Sequence, residues 1–270
     1  MNMRRLKSLS CVLLALIVTA CSSSKETPYV ERPVNALYNR AVNALEAESY
    51  LDAARFFEEV ERQHPYSVWA TKAQLMAAYS NYEANKYDDA IIGLDRFIQL
   101  HPGNRDTPYA YYLKALSYYE QITDVSRDQL GTERALKALR EVIRRFPQSK
   151  YARDARLKID LTRDHLAGKE MSIGRFYLRK QEYIAAINRF RRVIDHYQTT
   201  THTPEALHRV AEAYQAIGMT AEAKKAASVL GHNYPGSEWY TDSYALMTGK
   251  DVRENKDKKG FFARAWDWVF

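Results

Sequence analysis

The sequence is poor in the residues that build several common sites. Two cysteines in 270 residues cannot form a disulfide framework or a Cys-based zinc site. Ten glycines are about half the usual share of roughly 7%, which weighs against Gly-rich phosphate loops and loop-rich β architectures. HExxH, GxSxG, Walker A and GxGxxG strings are all missing. The seven histidines are scattered, and His64 and His101 share a repeat position that reads as packing. No catalytic group, metal or soluble cofactor is therefore expected. What is present is ordinary globular material: 46% hydrophobic and 27% charged residues, 20 tyrosines and a formal charge of +7. That excludes wholesale disorder. The positive charge raises a nucleic-acid partner, which depends on where the charges lie.

Residues 1–10 carry Arg4, Arg5 and Lys7 and no acid, and residues 11–20 (CVLLALIVTA) are apolar. Ten residues fall well short of the ~20 that span a bilayer, so the segment reads as a secretory signal peptide. It ends Val18-Thr19-Ala20-Cys21 and is followed by three serines. This resembles the lipobox of bacterial lipoproteins, with Val18 in place of the usual Leu. The resemblance implies that Cys21 becomes the first mature residue, carrying diacylglycerol and an N-acyl chain, and that Ser22 sends it to the outer membrane. More than one acyl chain gives stable anchoring. Cys11 leaves with the signal peptide. Residues 21–33 then form a lipidated polar tether.

From residue 34 onward apolar residues recur at helical spacing. Helices are expected over 34–48, 52–63, 68–84, 88–100, 107–122, 132–146, 150–180, 183–197, 204–217 and 220–233. Helix pairs end at Pro65, Pro102, Pro147 and Pro235, with Gln198 in the equivalent place of the fourth pair. Twelve residues before each point lies an alanine: Ala53, Ala90, Ala135, Ala186 and Ala223. Eight before lie Phe57, Leu94, Leu139, Phe190 and Ala227, and five before lie Val60, Phe97, Val142, Val193 and Leu230. Spacings of four and three put these side chains on one helix face, with the alanine allowing close approach of a neighbour. Proline stops each second helix. One pair cannot bury its face alone, so pairs stack.

This resembles the tetratricopeptide repeat. It implies an all-α fold of five helix pairs in a right-handed superhelical solenoid over 34–250, with residues 237–248 as a terminal cap. The third pair carries an extra loop, Thr123–Gly131, and the fourth has a long first helix. Residues 251–260 form a charged linker. Residues 261–270 (FFARAWDWVF) form a short aromatic, amphipathic tail that fits a membrane interface, a partner or the last repeat equally.

The lipobox, the five repeats, the string Asp95-Arg96-Phe97-Ile98-Gln99-Leu100-His101-Pro102, and Asn188-Arg189 after Tyr177-Leu178-Arg179-Lys180 together narrow the match. The chain resembles the BamD family, outer-membrane lipoproteins of the β-barrel assembly machinery. The resemblance implies a non-enzymatic adaptor on the periplasmic face of the outer membrane. Its C-terminal repeats would bind a POTRA domain of the barrel protein BamA. Its N-terminal repeats would take unfolded outer-membrane proteins, with BamC and BamE as further partners.

Charge placement fits a two-ended adaptor. Residues 21–133 hold 11 basic and 17 acidic residues, net −6, and residues 134–192 hold 17 and 6, net +11. Export and the acidic first half remove the premise of a nucleic-acid binder. An excess of +11 favours an acidic protein surface as partner. Lys137, Arg140 and Arg144 lie off the core stripe of their helix, as do Asn188, Arg189 and Arg192 of theirs. Similarity assigns Asn188, Arg189, Arg192 and Arg179 to the BamA side, although each singly also reads as part of a solvated face. Near the first repeat junction, Tyr50, His64, Tyr66 and Trp69 are candidates for holding an aromatic-rich peptide. For Tyr50 and Trp69 the other reading is inter-repeat packing. Two further functions stay open: a pilotin-type lipoprotein assisting secretin assembly, and a cell-wall-associated scaffold.

Overall fold

The apolar register read from the sequence folds as helix pairs. The computed structural model describes residues 31–249. The signal peptide, Cys21 and the tether up to residue 30, and the linker and tail 251–270, lie outside the described residues. Among the described residues there are eleven helices and no strands. They are α1 (Val34–Glu46), α2 (Tyr50–Gln63), α3 (Val68–Glu83), α4 (Tyr87–Leu100), α5 (Thr107–Tyr119), α6 (Leu130–Arg145), α7 (Lys150–Arg179), α8 (Tyr183–His196), α9 (Thr203–Ala216), α10 (Thr220–Asn233) and α11 (Glu238–Thr248). Each helix packs on its neighbours along the chain, and α11 covers α9 and α10. Such nearest-neighbour packing is the solenoid pattern.

Fourteen of the fifteen register residues are buried; only Ala227 is half-exposed. Four clusters show why a pair cannot stand alone. Leu37 and Ala41 of α1 meet Phe57 and Val60 of α2 and Ala73 and Ala77 of α3. Leu75 and Ala78 of α3 meet Leu94 and Phe97 of α4 and Leu113 of α5. Ala115 of α5 meets Leu139 and Val142 of α6 and Ala155 of α7. Ala167 and Met171 of α7 meet Phe190 and Val193 of α8 and Val210 of α9. Every cluster takes both helices of one pair and the first helix of the next. Burying one such Leu, Val or Phe is worth about 1.5–3 kcal/mol, so removing a pair uncovers its neighbour.

The second helices end alike. His64, His101, Phe146, Tyr197 and Tyr234 share a φ between −135° and −129°. Each donates its N–H to the carbonyl four residues back. Proline follows four of them and disfavours the helical region at the preceding residue. At Tyr197, where Gln198 follows, the hydroxyls of Thr200 and Thr203 donate to the Tyr197 carbonyl at 2.8 and 3.1 Å. They take up an acceptor that a continuing helix would have used.

The junctions between pairs come in two lengths. After Pro65, Pro147 and Pro235, serine sits two residues on. Ser67, Ser149 and Ser237 cap α3, α7 and α11 by accepting backbone N–H groups at 3.1 to 3.2 Å. After the second and fourth pairs the turn is two residues longer. There Thr107 and Thr203 bond back to the His101 and Tyr197 carbonyls, and proline occupies the first turn of α5 and α9.

Within pairs one, two, four and five the two helices are joined by a tight turn. Its central residue is left-handed: Glu48, Asn85, Gln181 and Gly218, with φ of 56°, 57°, 61° and 79°. The N–H of the next residue reaches the carbonyl five back. The third pair departs from this. α5 stops at Tyr119, three residues before the expected end, and α6 starts at Leu130, two before its expected start. The Asp128 carboxylate accepts the Leu130 N–H, and the Gln129 side-chain amide oxygen Oε1 accepts the Thr132 hydroxyl, so the helix can begin earlier. The connection is residues 120–129.

The long α7 serves two cores at two heights. α3 offers its two neighbours interleaved faces within residues 73–78. α7 instead gives Ala155 to the third-pair core and Ala167 and Met171 to the fourth. Twelve residues of helix separate Ala155 from Ala167, about 18 Å. The fourth pair is thus shifted along the helix relative to the third. The 120–129 loop lies against the extra length. Lys169 donates to the carbonyls of Ser126 and Arg127 at 3.0 and 3.2 Å, and His165 Nδ1 is 3.1 Å from the Gln129 side-chain amide oxygen Oε1.

Candidate functional site

The four residues assigned to one docking side fall on α7 and α8. Asn188 and Arg179 are exposed. Arg189 and Arg192 are one turn apart on α8 and both reach Glu170 on α7. Arg189 Nη1 lies 3.1 Å from Oε2, and Arg192 Nη1 lies 3.1 Å from Oε1. The Glu170 side chain is 11% exposed, against 35% for Arg189 and 54% for Arg192. A buried anion thus sits beneath two half-exposed cations. These residues border a groove of about 400 Å³ between the third-pair loop, α7 and α8, with Lys169, Glu133 and Tyr197 beside them. Burial and then the Glu170 carboxylate push the Tyr197 phenol up.

Glu170 was not among the expected residues, yet the sequence carries its signal. It lies in the stripe Leu166, Ala167, Met171, Gly174, all buried. A carboxylate on that face has to find cations. Gly174 in the same stripe has a simple cause: a Cβ there would lie 2.4 Å from the Phe190 ring. A similar motif lies one step on. Arg175 Nη1 holds both oxygens of Glu205 at 3.1 and 2.9 Å, and Arg209 bridges Glu205 and Glu212.

The basic residues of α6, among them the expected Lys137, Arg140 and Arg144, divide. Arg134, Lys137 and Arg140 are exposed along α6. Arg144 and Arg145 are engaged by Glu141, whose pKa they hold down to about 2, Arg144 contributing more. Several of the 17 basic residues of this stretch are therefore engaged by carboxylates of the chain itself, and Glu205, from outside the stretch, takes up Arg175.

The structure separates the aromatic set proposed from sequence. Tyr50 begins α2 and His64 follows its last residue, which puts about 20 Å between them. His64, Tyr66 and Trp69 stay together at the junction. Tyr66 is fully exposed. Trp69 is 37% exposed and its ring lies 4.7 Å from that of Tyr38 on α1. Tyr50 instead lines a groove of about 970 Å³ between α2, α3 and α4. Glu48, Asp52, Glu58, Glu61 and Asp89 ring it, with Arg55 and Arg96 paired to Asp52 and Glu61. Burial, then Asp89 and Glu61, push the Glu58 carboxyl up. Leu51 and Ile92 are exposed residues of its lining. This combination of acids and apolar side chains was not read from the sequence, because its members come from three helices.

A family model for an outer membrane lipoprotein, YfiO, matches residues 30–230. The chain is 50% identical over 249 residues to the outer membrane protein assembly factor BamD of Caulobacter vibrioides, covering 91% of this chain and 82% of that relative. It is 49% identical over 246 residues to the protein of the same name from Rickettsia prowazekii, covering 91% and 98%. Among solved structures, a thermophilic TPR protein of Thermus thermophilus aligns at 18% identity and a TM-score of 0.37, over 80% of this chain and 98% of that one. The chain belongs to the BamD (YfiO) family of outer membrane lipoproteins, with a role in outer membrane protein assembly.

Proposed function

We propose that the chain is a lipid-anchored adaptor of the β-barrel assembly complex. Cys21, carrying diacylglycerol and an N-acyl chain, holds it on the periplasmic face of the outer membrane. The arginine side of α7 and α8 docks on a POTRA domain of BamA. The acidic and apolar groove of the first two pairs, with the Tyr66 junction beside it, receives unfolded outer-membrane proteins. BamC and BamE are further partners, and the work is binding rather than catalysis. One observation carries this reading: two unlike surfaces on one stack, an acidic groove on α2–α4 and a pair of half-exposed arginines on α7–α8. Two surfaces of opposite sign let one chain hold two partners without competition.

The docking side is tested by Arg189→Glu. The variant is expected to lose copurification with BamA while keeping its helical circular-dichroism spectrum. Unchanged copurification overturns the assignment.

A further inference from the structure

Glu170 is costly where it stands. It takes a place in an apolar stripe between Ala167 and Met171, and a buried charge is unfavourable unless fully paired. Well-packed apolar replacements of buried ion pairs are often neutral or stabilising, so stability alone is a poor account of it. Its geometry suggests another. Arg189 donates to it through Nη1, and Arg192 approaches its other oxygen with Nη1 at 3.1 Å; a guanidinium has five N–H donors in a fixed fork. The two guanidinium groups are thereby fixed one helical turn apart, and both remain part-exposed.

We propose that Glu170 is a positioning residue for docking: it holds Arg189 and Arg192 in a pre-set pair that receives acidic side chains of a protein partner. The assignment rests on the docking reading above and adds to it the residue that sets the geometry. A free arginine side chain loses rotamer freedom when it binds. Here that loss is incurred on folding, so the partner meets an ordered pair. Without the carboxylate, two cations at i and i+3 repel each other and turn apart. The remaining charges of the groove are Arg127, Asp128, Glu133 and Lys169. Lys169 donates to the loop carbonyls of Ser126 and Arg127, the Asp128 carboxylate accepts the Leu130 N–H, and Glu133 is in the exposed first turn of α6. The carboxylate paired with both arginines is that of Glu170.

The consequence is kinetic. Glu170→Gln keeps the shape and removes one negative charge. Electrostatic steering toward an acidic partner is then kept or increased, so association does not slow. Dissociation quickens, by about tenfold if both side chains become mobile. A merely structural role would lower the melting temperature and reduce the active fraction, leaving the dissociation rate of the folded molecules unchanged.

The experiment uses the full mature chain in detergent and the purified barrel-proximal POTRA domain of BamA, with both rate constants read by surface plasmon resonance. Dissociation about tenfold faster, at an unchanged or higher association rate, supports the proposal. An unchanged dissociation rate, or a loss confined to association, overturns it. Absence of wild-type binding overturns the docking reading and this assignment with it. If Glu170→Gln does not fold, Glu170→Gln/Arg192→Gln is compared with Arg192→Gln. The double variant keeps the wild-type net charge of +1 over these three positions, and dissociation faster than in the single variant is expected. Equal rates overturn the proposal.

Discussion

Pairs one and two and pairs three and four are built on one register and arranged to opposite ends. In the first two, α3 serves both neighbouring cores with interleaved faces, the linking turns are tight, and acids collect around an open groove. In the later two, α7 serves its cores about 18 Å apart along its axis, a loop fills the added length, and acids lie beneath arginines. The lesson is that the apolar stripe fixes how helices meet, while helix length and the placement of carboxylates decide what surface the stack offers. A carboxylate on a solvent-facing position makes an acidic groove. The same group on a core-facing position orders the cations above it.

The strongest challenge to a shared register is to empty the same position in both regions. Phe57 and Phe190 are each fully buried. Replacing either by alanine is expected to cost about 3–5 kcal/mol, measured by urea unfolding. Hydrogen exchange should place the loss in α1–α3 for Phe57→Ala and in α7–α9 for Phe190→Ala, the helices that share each core. Similar losses spread evenly over the whole stack would remove the local-core account.

A smaller effect isolates the long helix. Alanine in place of a mid-helix glycine ordinarily stabilises by up to ~1 kcal/mol. Gly174→Ala is expected to reverse that sign and cost about 1–3 kcal/mol through overpacking against Phe190. A raised melting temperature would show that α7 and α8 can move apart freely.

The smallest concerns the turns. Gln181 holds φ 61°, a conformation that costs a residue with a Cβ about 1–2 kcal/mol. Gln181→Gly should therefore stabilise by about 1 kcal/mol, and Asn85→Gly by less, since asparagine tolerates that region. Thermal unfolding checks both. A destabilised Gln181→Gly would mean that the tight turn is not the constraint it is taken to be.

Much of the fold was legible because helix packing is local. The alanine and the two apolar positions that follow it recur at four and three residues, and that period alone puts them on one face. Every second helix ends where proline or its equivalent was expected. The arginine side was legible in part. Arg189 and Arg192 stand out as charges off the stripe, whereas Glu170 is visible only once a carboxylate inside a stripe is treated as a demand for partners. Tyr50 parts from His64, Tyr66 and Trp69 because nearness in sequence along a helix is not spatial nearness. Tyr50 and His64 sit at opposite ends of α2.

The sequence by itself determined the helix pairs, their stops and the separation of charge into an acidic and a basic stretch, since each follows from period, proline and composition. The tertiary structure alone decided two things. It joined the third-pair loop and the long α7, which look like unrelated insertions along the chain, into a single device, because Lys169 on the added helix length donates to two of the loop's carbonyls. It also chose which charges face outward, because whether an arginine meets a partner or a carboxylate of its own chain depends on which helix face lies across from it.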